Sequence, residues 1–144
     1  MPGDDCIIIC EADNTKCGLG ISRIKCQFMK EIILTAQNGQ QRTFTEHINT
    51  VFFPGVGAYG SYFGDRAQRE TLKLIYKDSM RAITPSTHGH YVRCQYYILV
   101  EPIFSGFFSK IVDDKFKVYL TILQPAMSYD VIHPPENWRP SIAE

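Results

Sequence analysis

The chain has 144 residues, of which 44% are hydrophobic and 21% are charged, and its 15 basic side chains balance its 15 acidic ones. This composition is typical of one globular domain rather than of a disordered chain. The neutral balance, without a run of Lys or Arg, argues against nucleic acid as a partner, because a phosphate backbone is bound through a concentrated basic surface.

The cysteines and the hydropathy pattern indicate the compartment. An odd number of cysteines without the regular spacing of a secreted framework predicts reduced thiols. No signal-peptide pattern opens the chain, and no apolar run is long enough to span a bilayer. We therefore expect a cytoplasmic protein without a transmembrane segment, recruited to membranes through its partners. The cysteines are Cys6, Cys10, Cys17, Cys26 and Cys94.

In the first half of the chain, apolar and polar residues alternate as they do in β-strands. The apolar run of residues 6–10 predicts a strand that is buried on both faces or lies near a sheet centre. Within residues 24–34 most even-numbered positions are apolar, which predicts a strand with one buried face. Asn38 and Gly39 tolerate positive φ and predict a tight hairpin before the β-prone residues 43–45.

The second half of the chain shows the same alternation in three segments. Residues 72–76 suggest one strand, and residues 92–100 alternate over one of the longest stretches and predict a core strand. The last strand covers residues 116–122 and ends before Pro125, which cannot continue a ladder of hydrogen bonds. Only residues 64–70 offer a helical turn or two.

The number and spacing of these segments predict the fold class. About seven short strands, separated by Gly, Pro and Asn, favour an all-β fold in which two sheets form a β-sandwich. We expect the sandwich to span residues 1–125. Residues 126–144 are expected to form a proline-containing C-terminal tail that drapes over the sandwich or extends from it.

Three segments, taken in order, resemble a known family. Residues 9–17 followed by residues 21–25 are similar to the start of the arrestin C-terminal domain, where an Asn-Ser or Asn-Thr turn precedes a strand with alternating basic residues. Residues 83–97 resemble the P-S-x-x-G-x-x-I/V-x-C-x-Y entry to the long strand of arrestins of the α-arrestin type. Val118–Pro125 resembles the closing strand of that domain.

The resemblance implies an immunoglobulin-like sandwich and a function. That function is a non-catalytic, protein-binding scaffold, an adaptor that links membrane cargo or receptors to trafficking or signalling machinery. It also implies that an N-terminal arrestin-like domain is missing from this chain. Two departures limit what is carried over. The segment 78–87 is shorter than the acidic loop of receptor-regulating arrestins, so Asp78 receives no phosphate-sensing role. Pro134-Pro135 lacks the tyrosine of a ubiquitin-ligase recruitment motif.

The sequence contains only weak indications of a metal site or a catalytic site. His88 and His90 can supply two metal nitrogens, but Cys94, the nearest further ligand, shares a strand face with the predicted core. The adjacent acids Asp4-Asp5 and Asp113-Asp114 point to opposite faces of a strand, so neither pair works as acid and base together. We therefore predict no catalytic residue, no cofactor and no metal site.

Two segments that combine aromatic residues with glycine, 52–64 and 102–108, are the candidate binding loops. Aromatic side chains that are exposed on loops are favoured anchors at protein interfaces. The alternative is that these rings fill the end of the sandwich, and only their exposure distinguishes the two. The candidate protein-binding residues are Tyr59, Tyr62, Phe107 and Phe108.

Two further functions remain open at this point. The first is a retromer-type arrestin-like subunit that assembles constitutively into a coat. The second is a β-sandwich that binds a lipid or another small ligand, which requires an apolar cavity between the sheets. An enzyme would instead require a convergent polar site.

Overall fold

A computed structural model describes residues 4–76, 80–106 and 115–124, and these residues form an all-β sandwich, as predicted. In these three ranges no helix has the length and apolarity needed to cross a bilayer. The predicted tail, residues 126–144, lies outside the described residues. The strands, in chain order, are β1 (Asp5–Cys10), β2 (Ala12–Asp13), β3 (Ile21–Thr35), β4 (Gln41–Val56), β5 (Ser61–Tyr62), β6 (Gln68–Lys73), β7 (Thr87–His88), β8 (Val92–Phe104) and β9 (Phe116–Leu120).

The strands form one large sheet and two small ones. The large sheet has five antiparallel strands in the order β4-β3-β8-β7, and β9 pairs with the same strand β8 further along. Strand β1 pairs with β6, and the short β2 pairs with the short β5. The long β3 is the centre of the large sheet, because it pairs along its length with both β4 and β8.

The hairpin between β3 and β4 forms where Asn38 and Gly39 predict it. Gly39 has a φ of 82°, which a residue without Cβ adopts at little cost. The turn is closed by hydrogen bonds from the Gly39 N–H to the Ala36 carbonyl and from the Ala36 N–H to the Gln40 carbonyl. The register in which β3 pairs with β4 beyond this turn is continuous as far as an irregularity at Phe28 and Met29.

The core lies between the large sheet and the β1–β6 pair. The alternation in β3 and β8 places one face of each strand inward, and β6 covers that face from the other layer. Phe28 stacks on Tyr96 at a centroid distance of 5.6 Å, and the Tyr96 hydroxyl donates to the Thr84 carbonyl at 2.7 Å. The largest fully buried side chains are Tyr96, Phe28, Phe53, Leu72 and Ile83.

Strand β1 is an edge strand, which corrects the prediction that it is buried on both faces or lies near a sheet centre. Among the described residues its one partner strand is β6. Its inward residues pack against the core, whereas the outward Ile7 and Ile9 are 67% and 56% exposed. The consecutive apolar residues of β1 do not reveal, from the sequence alone, that one face of the strand is exposed to solvent.

Two other segments differ from the sequence predictions. The last strand was predicted over residues 116–122 but β9 ends at Leu120, and its residues Phe116 and Val118 are 57% and 44% exposed because they line an open cleft opposite β1. In the segment 64–70 the helical part is one 3-10 turn, Gly64–Arg66, after which β6 begins at Gln68.

The outer face of the large sheet carries a buried ring, Tyr97, which is 4% exposed. The Lys117 ammonium lies 4.3 Å from the centroid of this ring, and the Tyr119 ring packs beside it. Lys117 also pairs with Glu31 at 3.6 Å, and Glu31 accepts a hydrogen bond from Gln95. The described neighbours of this tyrosine, Lys117 and Tyr119, lie on strand β9 of the same sheet.

All five cysteines are free thiols, and their surroundings differ. Burial raises the pKa of the Cys26 thiol to about 11, because the thiolate would lose its hydration in the core. Cys17 lies half-exposed in the loop after β2.

The rate of alkylation should therefore differ between the Cys17 and Cys26 thiols. In the folded protein at pH 8, we expect iodoacetamide to modify Cys17 at least about tenfold faster than Cys26, because the reactive species is an accessible thiolate. Peptide mass spectrometry over a time course measures both rates. Equal rates in the folded protein would contradict the burial of Cys26, and equal rates in urea are the expected control.

Candidate protein-binding end of the sandwich

Three loops meet at the end of the sandwich where β3 begins, and we call residues 14–20, 57–63 and 105–106 the loop end. The Tyr59 N–H donates to the Cys17 carbonyl at 3.0 Å, which joins the first two loops. The Ser105 N–H donates to the Gly20 carbonyl at 2.7 Å, which joins the third loop to the first. Backbone hydrogen bonds thus hold the loop end together.

Asn14 braces the loop end from inside. It is a buried polar residue, and its side-chain nitrogen donates to the Leu19 carbonyl at 2.7 Å and to the Gly57 carbonyl at 3.1 Å. Its own N–H donates to the Gly60 carbonyl at 2.9 Å. Replacing this side chain would remove both hydrogen bonds, and only the Gly57 carbonyl would keep another donor, the Gly60 N–H at 3.1 Å, so Asn14 has a structural role here.

The turn that precedes this brace is held by Asp13. Its Oδ1 accepts hydrogen bonds from the Thr15 hydroxyl at 2.6 Å and from the Thr15 N–H at 3.0 Å. These bonds lower the pKa of the exposed Asp13 carboxyl, because both stabilise the charged form. The Asp-Asn-Thr sequence is therefore a local turn whose next residue, Asn14, reaches inward.

Tyr59 is the most exposed ring of the loop end. Its side chain is 69% exposed, and its backbone has a φ of 57°, a left-handed conformation that a bulky residue rarely adopts. Its hydroxyl lies against Gly18, where an added Cβ would come within 2.9 Å of the oxygen. The surrounding hydrogen bonds thus hold a strained residue with its ring towards solvent.

The other candidate residues are not equivalent to Tyr59. Tyr62 is 9% exposed, its hydroxyl donates to the Pro54 carbonyl at 3.0 Å, and burial raises its pKa. Its expected placement in an exposed patch is therefore wrong, because the short β5 turns its ring into the core. Phe107 and Phe108 lie outside the described residues.

Phe63 is an aromatic residue of the loop end that was not singled out as a binding residue from the sequence. It follows β5 and is 60% exposed. The signal was present, because residues next to each other in an extended segment point to opposite sides, so a buried Tyr62 places Phe63 outward. The Gly64 N–H donates to Glu11 at 3.0 Å and anchors the chain after it.

The residues considered for metal binding from the sequence are not grouped into a metal site. His88 and His90 are exposed, whereas Cys94 is buried in the core stripe of β8. Within the described part of the chain, no group of three or more His, Cys, Asp or Glu side chains is arranged to hold a metal ion.

A second feature is an apolar cleft where the edge strands β1 and β9 face each other. Its volume is about 210 Å³, which is below the roughly 300–1,000 Å³ typical of small-molecule sites. A lipid-binding β-sandwich requires an apolar cavity between its sheets, and this apolar cleft is smaller than that range. Its lining includes Ile8, Ile9, Cys10, Cys26, Phe53, Ile98, Val100, Phe116 and Val118.

In comparisons with known proteins, the chain matches no family model and no curated protein sequence.

Proposed function

We propose that this chain is a non-catalytic, protein-binding scaffold, an arrestin C-domain-like adaptor that links membrane cargo or receptors to trafficking or signalling machinery in the cytoplasm. The proposal rests on the segments that resemble the arrestin C-terminal domain and on the β-sandwich fold in which they lie. Fold alone does not assign a function, so the binding surface carries the argument.

The observation that carries the proposal is the loop end with its two exposed rings. Tyr59 and Phe63 are 69% and 60% exposed, whereas the backbone beside them is fixed by hydrogen bonds and by the buried Asn14. Rigid aromatic residues contribute large contact areas at a small cost in conformational entropy, which is why they dominate binding hot spots. A preorganised aromatic surface of this kind suits the recognition of a protein.

A binding experiment with a paired variant tests this surface. We expect Tyr59→Ser combined with Phe63→Ser to lose, by at least about tenfold, the partners that the wild-type chain retains from a cell lysate, because both anchors are removed. Quantitative mass spectrometry of the bound fraction measures the loss. The adaptor role further predicts that membrane receptors or trafficking proteins are among the lost partners.

The matched control is Tyr91→Ser, which removes a ring that is 51% exposed at the opposite end of the sheet. Circular dichroism must show that both variants remain folded. If the control loses the same partners, or if the paired variant keeps them all, the loop end is not the binding surface. Partners without any relation to membranes or trafficking would contradict the adaptor role but not the surface.

A further inference from the structure

The outer half of β4 is an unpaired sheet edge. Strand β4 is the last strand of the large sheet, and among the described residues β3 is its one partner. Its residues 41–47 are all exposed, although the Tyr76 hydroxyl reaches the Glu46 carboxylate near one end of this edge. We call residues 41–47 the free β4 edge. Its outward N–H and C=O groups are available for pairing with another strand.

The free β4 edge reads Gln-Arg-Thr-Phe-Thr-Glu-His, and this order is complementary to itself in the antiparallel direction. If two copies pair around Phe44, each Phe44 lies opposite the other Phe44. Arg42 of each copy then lies opposite Glu46 of the other copy, so the pairing contains two Arg–Glu contacts. Thr43 lies opposite Thr45. Opposite charges and aromatic pairs at facing positions both stabilise antiparallel strands.

We propose that a second copy of this chain binds at the free β4 edge, antiparallel and centred on Phe44, so that two large sheets join into one continuous sheet. The pairing is isologous, because the same residues face each other across a two-fold axis. A shift of the register by two residues along the strand removes both Arg–Glu contacts, so the charges also select the register.

The groups that this pairing needs are accessible. Phe44 is 52% exposed, and it lies on the same face of the sheet as Ile32, the residue directly opposite it on β3. Arg42 has no ion pair within the described part of the chain. Glu46 accepts one hydrogen bond, at Oε2 from the Tyr76 hydroxyl at 3.1 Å, and its side chain remains exposed.

Exposed edges are commonly protected against such pairing by Lys, by Pro or by charges that repel a second copy. The free β4 edge contains neither Lys nor Pro, and its two formally charged residues attract rather than repel when two copies meet. A contact between two seven-residue segments is small, so we expect a transient dimer that is populated only at high concentration.

Charge reversal gives a sharp test. In sedimentation velocity at low salt, over roughly 10 µM to 1 mM, we expect the wild-type chain to shift from monomer towards dimer. Arg42→Glu and Glu46→Arg should each remain monomeric, because each places like charges at both facing positions. An equimolar mixture of the two variants should recover the dimer, since the two glutamates of one chain then face the two arginines of the other.

A disulfide test does not depend on the charges. With diamide, which takes two thiols to a disulfide, Phe44→Cys should yield a linked dimer, because directly opposite strand residues lie within the Cα separation that a disulfide requires. Thr43→Cys is the matched control, since its two copies are offset along the strands by more than that separation. Mass spectrometry identifies the linked peptides.

The possible results decide the proposal. A chain that remains monomeric over the whole concentration range overturns it, as does a dimer that neither charge variant weakens. If Glu46→Arg disturbs the fold through the lost Tyr76 contact, the comparison of Phe44→Cys with Thr43→Cys decides alone. Equal linking at positions 43 and 44 would show collisions rather than a defined register.

Discussion

The substitution Gly55→Ala is expected to reduce the free energy of unfolding by about 3 kcal/mol or more, because the new methyl group has no room. A Cβ on Gly55 would lie 1.9 Å from the Ile21 carbonyl oxygen and 2.4 Å from that of Ser22. Both obstacles are backbone atoms of the neighbouring β3, so no side-chain rotation relieves the overlap. Urea denaturation followed by fluorescence or circular dichroism measures the loss.

The matched control is Gly57→Ala, two residues further along the chain. A Cβ on Gly57 meets no atom within 4 Å, and the change is expected to alter stability by less than about 1 kcal/mol. If the two alanine variants had the same denaturation midpoint, the close contact between β3 and the end of β4 would be wrong.

The second large effect is expected for Phe53→Ala. Phe53 is 1% exposed in the core, so its truncation removes buried apolar surface and leaves a cavity. Substitutions of this kind cost about 3–5 kcal/mol. The expected result is a much lower midpoint in urea with an unchanged denaturant slope, because the same surface still becomes exposed on unfolding.

Its neighbour Phe52 supplies the control, since Phe52→Ala removes the same residue type from the opposite face of β4. The Phe52 ring is 45% exposed and lies 4.6 Å from the guanidinium carbon of Arg23. Losing this exposed cation–π contact should cost only about 0.5–1 kcal/mol. Similar losses for the two adjacent phenylalanines would contradict the orientation of β4.

The candidate site shows which features local sequence patterns predict and which they do not. The aromatic and glycine composition of residues 52–64 indicated a loop suited to binding, and Tyr59 is exposed there. The same composition did not separate Tyr59 from Tyr62. That difference depends on the short pairing of β5 with β2, which connects positions about fifty residues apart and turns the Tyr62 ring towards Cys10.

The hydrogen bonds of the buried polar residue Asn14 also show which contacts local sequence can predict and which it cannot. Its neighbours Asp13 and Thr15 form a turn through contacts two residues apart, and such turns follow from local sequence. The Gly57 carbonyl that Asn14 satisfies is 43 residues away. A hydrogen bond over this separation exists only after the two loops have been brought to the same end of the sandwich.

The sequence alone determined the strand periodicity, the β3–β4 hairpin and the inward face of β3 and β8, because alternation and turn chemistry act over a few residues. The tertiary structure decided which strand faces are packed against another layer. Ile7, Ile9, Phe116 and Val118 have the hydrophobicity of core residues but lie on edge strands, where the opposite layer does not cover them. Tyr97 is buried on an outer face by Lys117 and Tyr119. Alternation assigns a side chain to one of two faces, whereas burial depends on what packs over that face from distant parts of the chain.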